Sequence, residues 1–250
     1  MKPNMIDLRH LLITGAMAWA LAMQGGNALA QQVSRPAEQN AITAIDIALE
    51  PDATMIQHAE AVNARLLKVF PKGFALGATH HPHISMLQRY VRTADLDKVY
   101  AAVRKVLANE KAAGWKLKAF KYYYIPWKDI GLAGIVVKPT DNLLKLQKKL
   151  IEAVVPFTAK MGTAAAYVTT PEDPDINQPT IDYVAAFVPK ATGKNFKPHV
   201  TVGIASQDYL KEMLAEPFDV FTFSPAGASV YQLGNYGTAR KKLTAWELKP

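Results

Sequence analysis

Two short segments of this 250-residue chain repeat one pattern, Pro82-His83-Ile84-Ser85-Met86 and Pro198-His199-Val200-Thr201-Val202. Each reads Pro-His-apolar-hydroxyl-apolar, and the histidines lie 116 residues apart. An imidazole with an ordinary pKa near 6.5 takes or gives a proton close to neutrality, so two of them can divide the work of base and acid. A Ser or Thr hydroxyl two residues further can donate to the oxygens of a phosphate. Along an extended strand, positions i and i+2 face the same side. His83 therefore shares a face with Ser85, and His199 with Thr201, while Ile84, Met86, Val200 and Val202 take the opposite faces. The apolar set can bury in a core and leave imidazole and hydroxyl on a groove. If the two halves of the chain pack about a pseudo-twofold axis, two imidazoles and two hydroxyls converge on one cleft.

The surrounding sequence supplies the elements those motifs need. Residues 41–50 alternate Ile45, Ile47 and Leu49 as a half-buried strand does, and Pro51-Asp52 ends it. From Ala53 to Phe70, apolar residues recur at spacings of three and four, which predicts a helix. Strands are expected over 83–91, 115–127, 132–138, 200–205, 218–223, 228–233 and 243–248, and helices over about 96–111, with Asp95 as its cap, 142–155 and 207–216. A strand and a helix precede each histidine motif: Ile45–Glu50 with the helix after it, and Ile135–Lys138 with the helix after it. A duplicated strand–helix–strand unit is the simplest account. The second half differs by an insertion over 162–194, rich in Pro, Asp and Thr, with a short helix expected at 180–188 and a place over the cleft as a lid.

Lys2 and Arg9 form a short basic region ahead of the apolar run Leu11–Ala22, and Ala28-Leu29-Ala30 follows. That is the layout of a cleavable secretory signal peptide, cut after Ala30. The expected organisation is a signal peptide over 1–30, a flexible leader over 31–40 and one bilobal catalytic domain over 41–250. Such a chain would be periplasmic or secreted and hold no stable membrane association after cleavage. Half of the residues are hydrophobic and a fifth charged, which excludes a disordered or polytopic membrane protein. There is no cysteine, so thiol nucleophiles, disulfides and iron–sulfur ligation are excluded. With 29 Lys and Arg against 21 Asp and Glu, the formal charge is +8, which favours anionic partners.

The motif pair resembles that of the two-histidine (2H) phosphoesterases, and most nearly the branch of bacterial 2′-5′ RNA ligases and 2′,3′-cyclic phosphodiesterases. The resemblance spans about Ile42 to Leu248. It implies an α+β fold of bilobal, duplicated strand–helix–strand units, with two antiparallel sheets facing a central cleft and helices outside. It also implies hydrolysis of 2′,3′-cyclic phosphates on small nucleotides or RNA ends, without metal or cofactor. In that scheme His83 and His199 are the acid and base, in an order the sequence leaves open, and Ser85 and Thr201 hold the phosphate. Candidate substrate contacts are His81, Tyr123, Lys197, Tyr231, Tyr236 and Arg240. The insertion and the signal segment depart from the family's pattern and bear on substrate. Alternatives are 2′-5′ ligation, a catalytically silent nucleotide-binding protein, and a metal site built on His80, His81 and His83.

Overall fold

Ile45, Ile47 and Leu49 are buried along strand β1 (Ile42–Pro51), as their alternation requires. The computed structural model describes residues 41–249. The expected signal peptide and leader lie outside the described residues. Helix α1 (Ala53–Val69) starts at Asp52, whose carboxylate accepts from the Thr54 and Met55 amides at 3.1 and 3.4 Å. Its other oxygen accepts from the Ser224 amide at 2.8 Å, which ties the cap to the far end of the chain. Then follow β2 (Ile84–Arg92), α2 (Leu96–Leu107), β3 (Leu117–Trp127), β4 (Ile130–Val137) and α3 (Asp141–Val154), the last capped by Thr140. The two-residue β5 (Thr158–Ala159), α4 (Gln178–Ala191), β6 (His199–Ser206), α5 (Gln207–Ala215), β7 (Phe221–Phe223), β8 (Pro225–Leu233) and β9 (Ala239–Glu247) complete the order.

Two expectations are corrected. Asp95 stands at the N-cap position of α2, as expected, but its side chain accepts from no first-turn amide; it ends a 3₁₀ turn, and its carboxylate takes Arg92 Nε at 2.5 Å and Lys98 Nζ at 2.8 Å instead. The insertion holds a 14-residue helix, longer than 180–188, because Asn177 caps it by accepting from the Thr180 amide and Pro179 stands in its first turn.

The sheet runs β7-β3-β4-β6-β2-β1-β8-β9, antiparallel throughout, with β5 beside β2. It consists of two four-stranded halves, each led by one histidine strand, and β6 and β2 stand side by side at the centre. The two expected sheets meet through a single residue pair, Ile84 with Val200, which makes one curled sheet of them. The duplication extends to an irregularity. In β2 the register against β1 shifts after Ser85, so Met86 is the extra residue of a bulge; in β6 the register against β4 shifts after Thr201, so Val202 is.

A bulge removes its residue from the ladder, and the freed carbonyl needs a donor. Asn63 of α1 donates to Val202 O at 2.9 Å, and Gln147 of α3 donates to Met86 O at 3.1 Å. Each amide also holds the loop ahead of a histidine motif. Asn63 donates to Phe74 O at 2.9 Å and accepts from Leu76 N at 3.0 Å; Gln147 accepts from Gly193 N at 3.2 Å. The helix of each unit thus seats on the histidine strand of the other. Beneath the sheet the two histidine strands share one core, in which Ile84, Met86, Leu87, Val200 and Val202 are buried with Leu66 and Leu150. The insertion builds a second, smaller core on the groove side of β1 and β2, where Ile181, Val184, Ala166 and Tyr167 pack on Ala44 and Tyr90.

Candidate active site

Antiparallel pairing of Ile84 with Val200 sets position 83 across from 201 and 85 across from 199. Ile84 and Val200 are buried in the helix-side core, so His83, Ser85, His199 and Thr201 turn to the groove as a two-by-two array. The imidazoles occupy one diagonal, and diagonal positions of adjacent strands lie about 7–8 Å apart, room for a phosphoryl group. His83 and Thr201 line a small pocket together with His80, His81, Phe74, Leu76 and Tyr236.

Each ring is oriented by a backbone carbonyl two residues earlier. His83 Nδ1 donates to His81 O at 2.6 Å, and His199 Nδ1 donates to Lys197 O at 2.8 Å. A carbonyl only accepts, so both Nδ1 atoms carry hydrogen, and Nε2 is the nitrogen left for chemistry. Beyond this shared arrangement the copies differ. His83 is 7% exposed, and its Nε2 lies 3.3 Å from Asp46 Oδ2 and 3.2 Å from Ser85 Oγ. Asp46 has no exposed surface; it accepts from Ser85 Oγ and from Gln88 Nε2 at 2.9 Å. Gln88 also donates to Gly237 O at 3.1 Å. His199 has no carboxylate partner among the described residues. Tyr123 stands edge-on to it, ring centres 4.8 Å apart.

The electrostatic consequence is opposite in the two copies. Burial alone pushes the His83 imidazole down, but the hydrogen bond and charge of Asp46 outweigh it, and the net direction is above the ordinary 6.5. Burial pushes His199 below 6.5, the Lys197 carbonyl notwithstanding, and the positive charge of His83 adds to the depression. Protonation is thus favoured at His83 and disfavoured at His199.

The remaining candidates fall into three groups. Tyr123, His81 and Tyr236 border the groove; Tyr236 adopts φ 57°, unusual for a non-glycine residue. The insertion fixes this turn: Thr180 Oγ accepts from the Tyr236 amide at 3.0 Å, and Asn177 donates to Asn235 at 3.1 Å through its amide and at 2.5 Å through its side chain. Tyr231, expected as a substrate contact, is 0% exposed; it donates to Glu50, and its ring lies tilted to those of His81 and His83, centres 5.1 and 6.0 Å away. Glu50 also takes Ser229 at 2.7 Å and Lys242 at 2.5 Å. Arg240 is engaged with His80, Nη1 to Nε2 at 2.6 Å, which leaves His80 a neutral acceptor with its pKa lowered to about 4 by burial and then by the arginine's charge. An arginine there competes with a metal reading of His80, and no group of three or more His, Asp or Glu is gathered in ligating geometry among the described residues. The Lys197 side chain is exposed, and its backbone is what serves His199. Sequence reasoning missed Asp46, Gln88 and the insertion's Tyr183, whose pKa is pushed up to about 12 by burial and then by the Asp46 charge.

No protein-family model and no curated protein matches the sequence. Among solved structures, the chain is similar to TT0787 of Thermus thermophilus, at 14% identity over 83% of this chain and 98% of that one, with a TM-score of 0.49. Escherichia coli LigT complexed with ATP is similar at 13% identity over 84% and 100%, TM-score 0.40. Usb1 of Kluyveromyces marxianus is similar at 11% identity over 86% and 100%, TM-score 0.40.

Proposed function

We propose that this protein is a phosphodiesterase that opens 2′,3′-cyclic phosphates of nucleotides or RNA ends, with His199 as general base, His83 as general acid and no metal ion. The observation that carries the reading is the central array in which two imidazoles on neighbouring strands hold opposite protonation biases. With a cyclic phosphate between them, His199 Nε2 takes a proton from the attacking water as the new P–O bond forms. His83 Nε2–H gives its proton to the ribose oxygen as that P–O bond breaks. Thr201 Oγ, in the pocket beside His83, donates to a phosphoryl oxygen and stabilises the charge that builds there. Ser85 spends its proton on Asp46, so it reaches the phosphate only by exchanging one anion for the other. The basic balance of the chain attracts such a substrate.

Residues 1–30 are taken as an export signal, so the test uses protein recovered from the exported fraction, whose first residue should be Gln31. Assayed on 2′,3′-cyclic nucleotides with chelator present, this chain should turn over. His83→Ala and His199→Ala should each lower kcat/KM by about 10²–10⁴. The pH profile should be a bell. Its acid limb follows His199, which must be unprotonated and titrates below 6.5; its alkaline limb follows His83, which must be protonated and titrates above 6.5. Turnover indifferent to both substitutions, turnover abolished by chelator, or nucleotide binding without turnover would each overturn the reading.

A further inference from the structure

Because both halves carry the same bulge, positions in one can be matched to the other by register. Ser85 pairs with Ala48 and, past the bulge, Gln88 pairs with Asp46, which pairs in turn with Tyr231. In the other half Thr201 pairs with Gly134 and, past the bulge, Ile204 pairs with Leu132, which pairs with Ile125. The row Gln88–Asp46–Tyr231 therefore corresponds to Ile204–Leu132–Ile125. Everything that handles the histidine itself is duplicated: the preceding proline, the carbonyl that receives Nδ1, the hydroxyl two residues on and the amide behind the bulge. The row beside it is polar in one copy and apolar in the other.

We infer that Asp46 is the positioning residue that makes the two histidines inequivalent: it anchors His83 as the proton donor, and Leu132 at the matching position leaves His199 free to be the acceptor. This rests on the acid–base reading given above and deepens it. A carboxylate without exposed surface requires a counter-charge or a full set of donors. Asp46 Oδ2 has Ser85, Gln88 and His83, whereas Oδ1 has no hydrogen-bond partner among the described residues. The one basic nitrogen within 4 Å of the carboxylate among the described residues is His83 Nε2. An imidazolium there sets its Nδ1 proton on the His81 carbonyl and rests its Nε2 proton against Asp46 and Ser85, from which a substrate oxygen draws it in the reaction.

The other ionisable groups around His83 do not supply that role. On β1, Glu50 is occupied by Lys242 of β9 and by Ser229 and Tyr231 of β8. His81, just ahead of β2, is depressed by burial and then by Lys242, which leaves it neutral. His199 on β6 is itself disfavoured as a cation by His83. Tyr231 on β8 and Tyr183 on α4 are held protonated, burial being the main cause in each.

The test follows the imidazole resonances of the full ligand-free mature chain by NMR through a pH titration, beside Asp46→Asn, which keeps the shape and an oxygen acceptor. In the natural chain His83 should titrate above His199. In Asp46→Asn the His83 midpoint should fall by about 1–3 pH units, the usual effect of a carboxylate at this range, and the His199 midpoint should move less. On a cyclic nucleotide, the alkaline limb of kcat/KM should retreat by the same interval while the acid limb stays near its place. A merely structural carboxylate would lower the rate without moving the limb. An unchanged His83 midpoint in a variant with a normal thermal melt would overturn the inference. So would His83 titrating below His199 in the natural chain, a measurement that needs no variant. The two readings are distinguishable: the predicted titrations without hydrolysis sink the proposed reaction and leave Asp46 in its role, and hydrolysis with the titration order reversed removes Asp46 from its role, and the acid and base assignments with it, while the hydrolysis stands.

Discussion

Gly134 on β4 has no side chain, and the ring of Tyr123 uses that room. A Cβ built at Gly134 would run into the Tyr123 ring and stand 3.0 Å from the Val200 carbonyl oxygen, so no alanine fits without moving one of them. Tyr123 is the group edge-on to His199, and the displacement would be felt at that ring. Gly134→Ala should lower kcat and cost about 1–3 kcal/mol of stability by overpacking; a kinetic assay beside a thermal melt checks both. At this scale His83 and His199 were legible because each sits in a five-residue phrase that the chain repeats. Asp46 and Gln88 were not, and the bulge is the reason. Strict alternation from Ser85 puts Leu87 on the groove and Gln88 beneath it. The extra residue at Met86 reverses that order, so Leu87 is in the core and Gln88 faces Asp46. A single Asp between two isoleucines gives no sign of a partner 42 residues away.

Strands and helices were legible from periodicity, with ends displaced by a residue or a few. What the pattern could not disclose is where the helices go. Asn63 and Gln147 lie on buried faces of α1 and α3, where an apolar residue would be expected, and their amides secure the bulge carbonyls of β6 and β2. Losing the amide leaves a buried carbonyl unpaired, at a cost of about 1–3 kcal/mol. Asn63→Ala and Gln147→Ala should each lower the denaturant midpoint accordingly. Each should also reduce turnover, since each amide also steadies the loop ahead of a histidine motif. Urea unfolding and steady-state kinetics measure the pair, and a variant with wild-type stability would contradict the bulge account. The insertion was expected as irregular chain with a short helix that could serve as a lid. Its own small core around Tyr90 and Tyr167, whose hydroxyls meet at 2.5 Å, and its grip on the turn at 235–237 make it a docked wall of the groove.

Across the whole molecule, the halves share a single ladder pair, yet each gives its helix to the other. Unfolding of residues 41–249 should therefore be one transition, with tryptophan fluorescence and far-ultraviolet circular dichroism coincident; two separated transitions would contradict the shared core. Its dependence on pH has a definite sign. His80, His81 and His199 are held below 6.5, so the unfolded chain binds their protons more readily, and stability should fall as pH drops from 6.5 through their folded values, toward about 4 for His80. His83 is raised, and its contribution is present below 6.5 and lost as pH rises through its folded value. Midpoints measured from pH 6.5 to 4 should decline, because the His83 contribution is already complete there and the three depressed histidines lose theirs.

The exchange of helices also bears on ancestry and on any attempt to divide the polypeptide. A fragment carrying one strand–helix–strand unit would have no floor for its own helix and no amide for its own bulge; only a second molecule could provide them. Two such fragments would have to embrace reciprocally to fold at all, and the present chain corresponds to that embrace joined end to end.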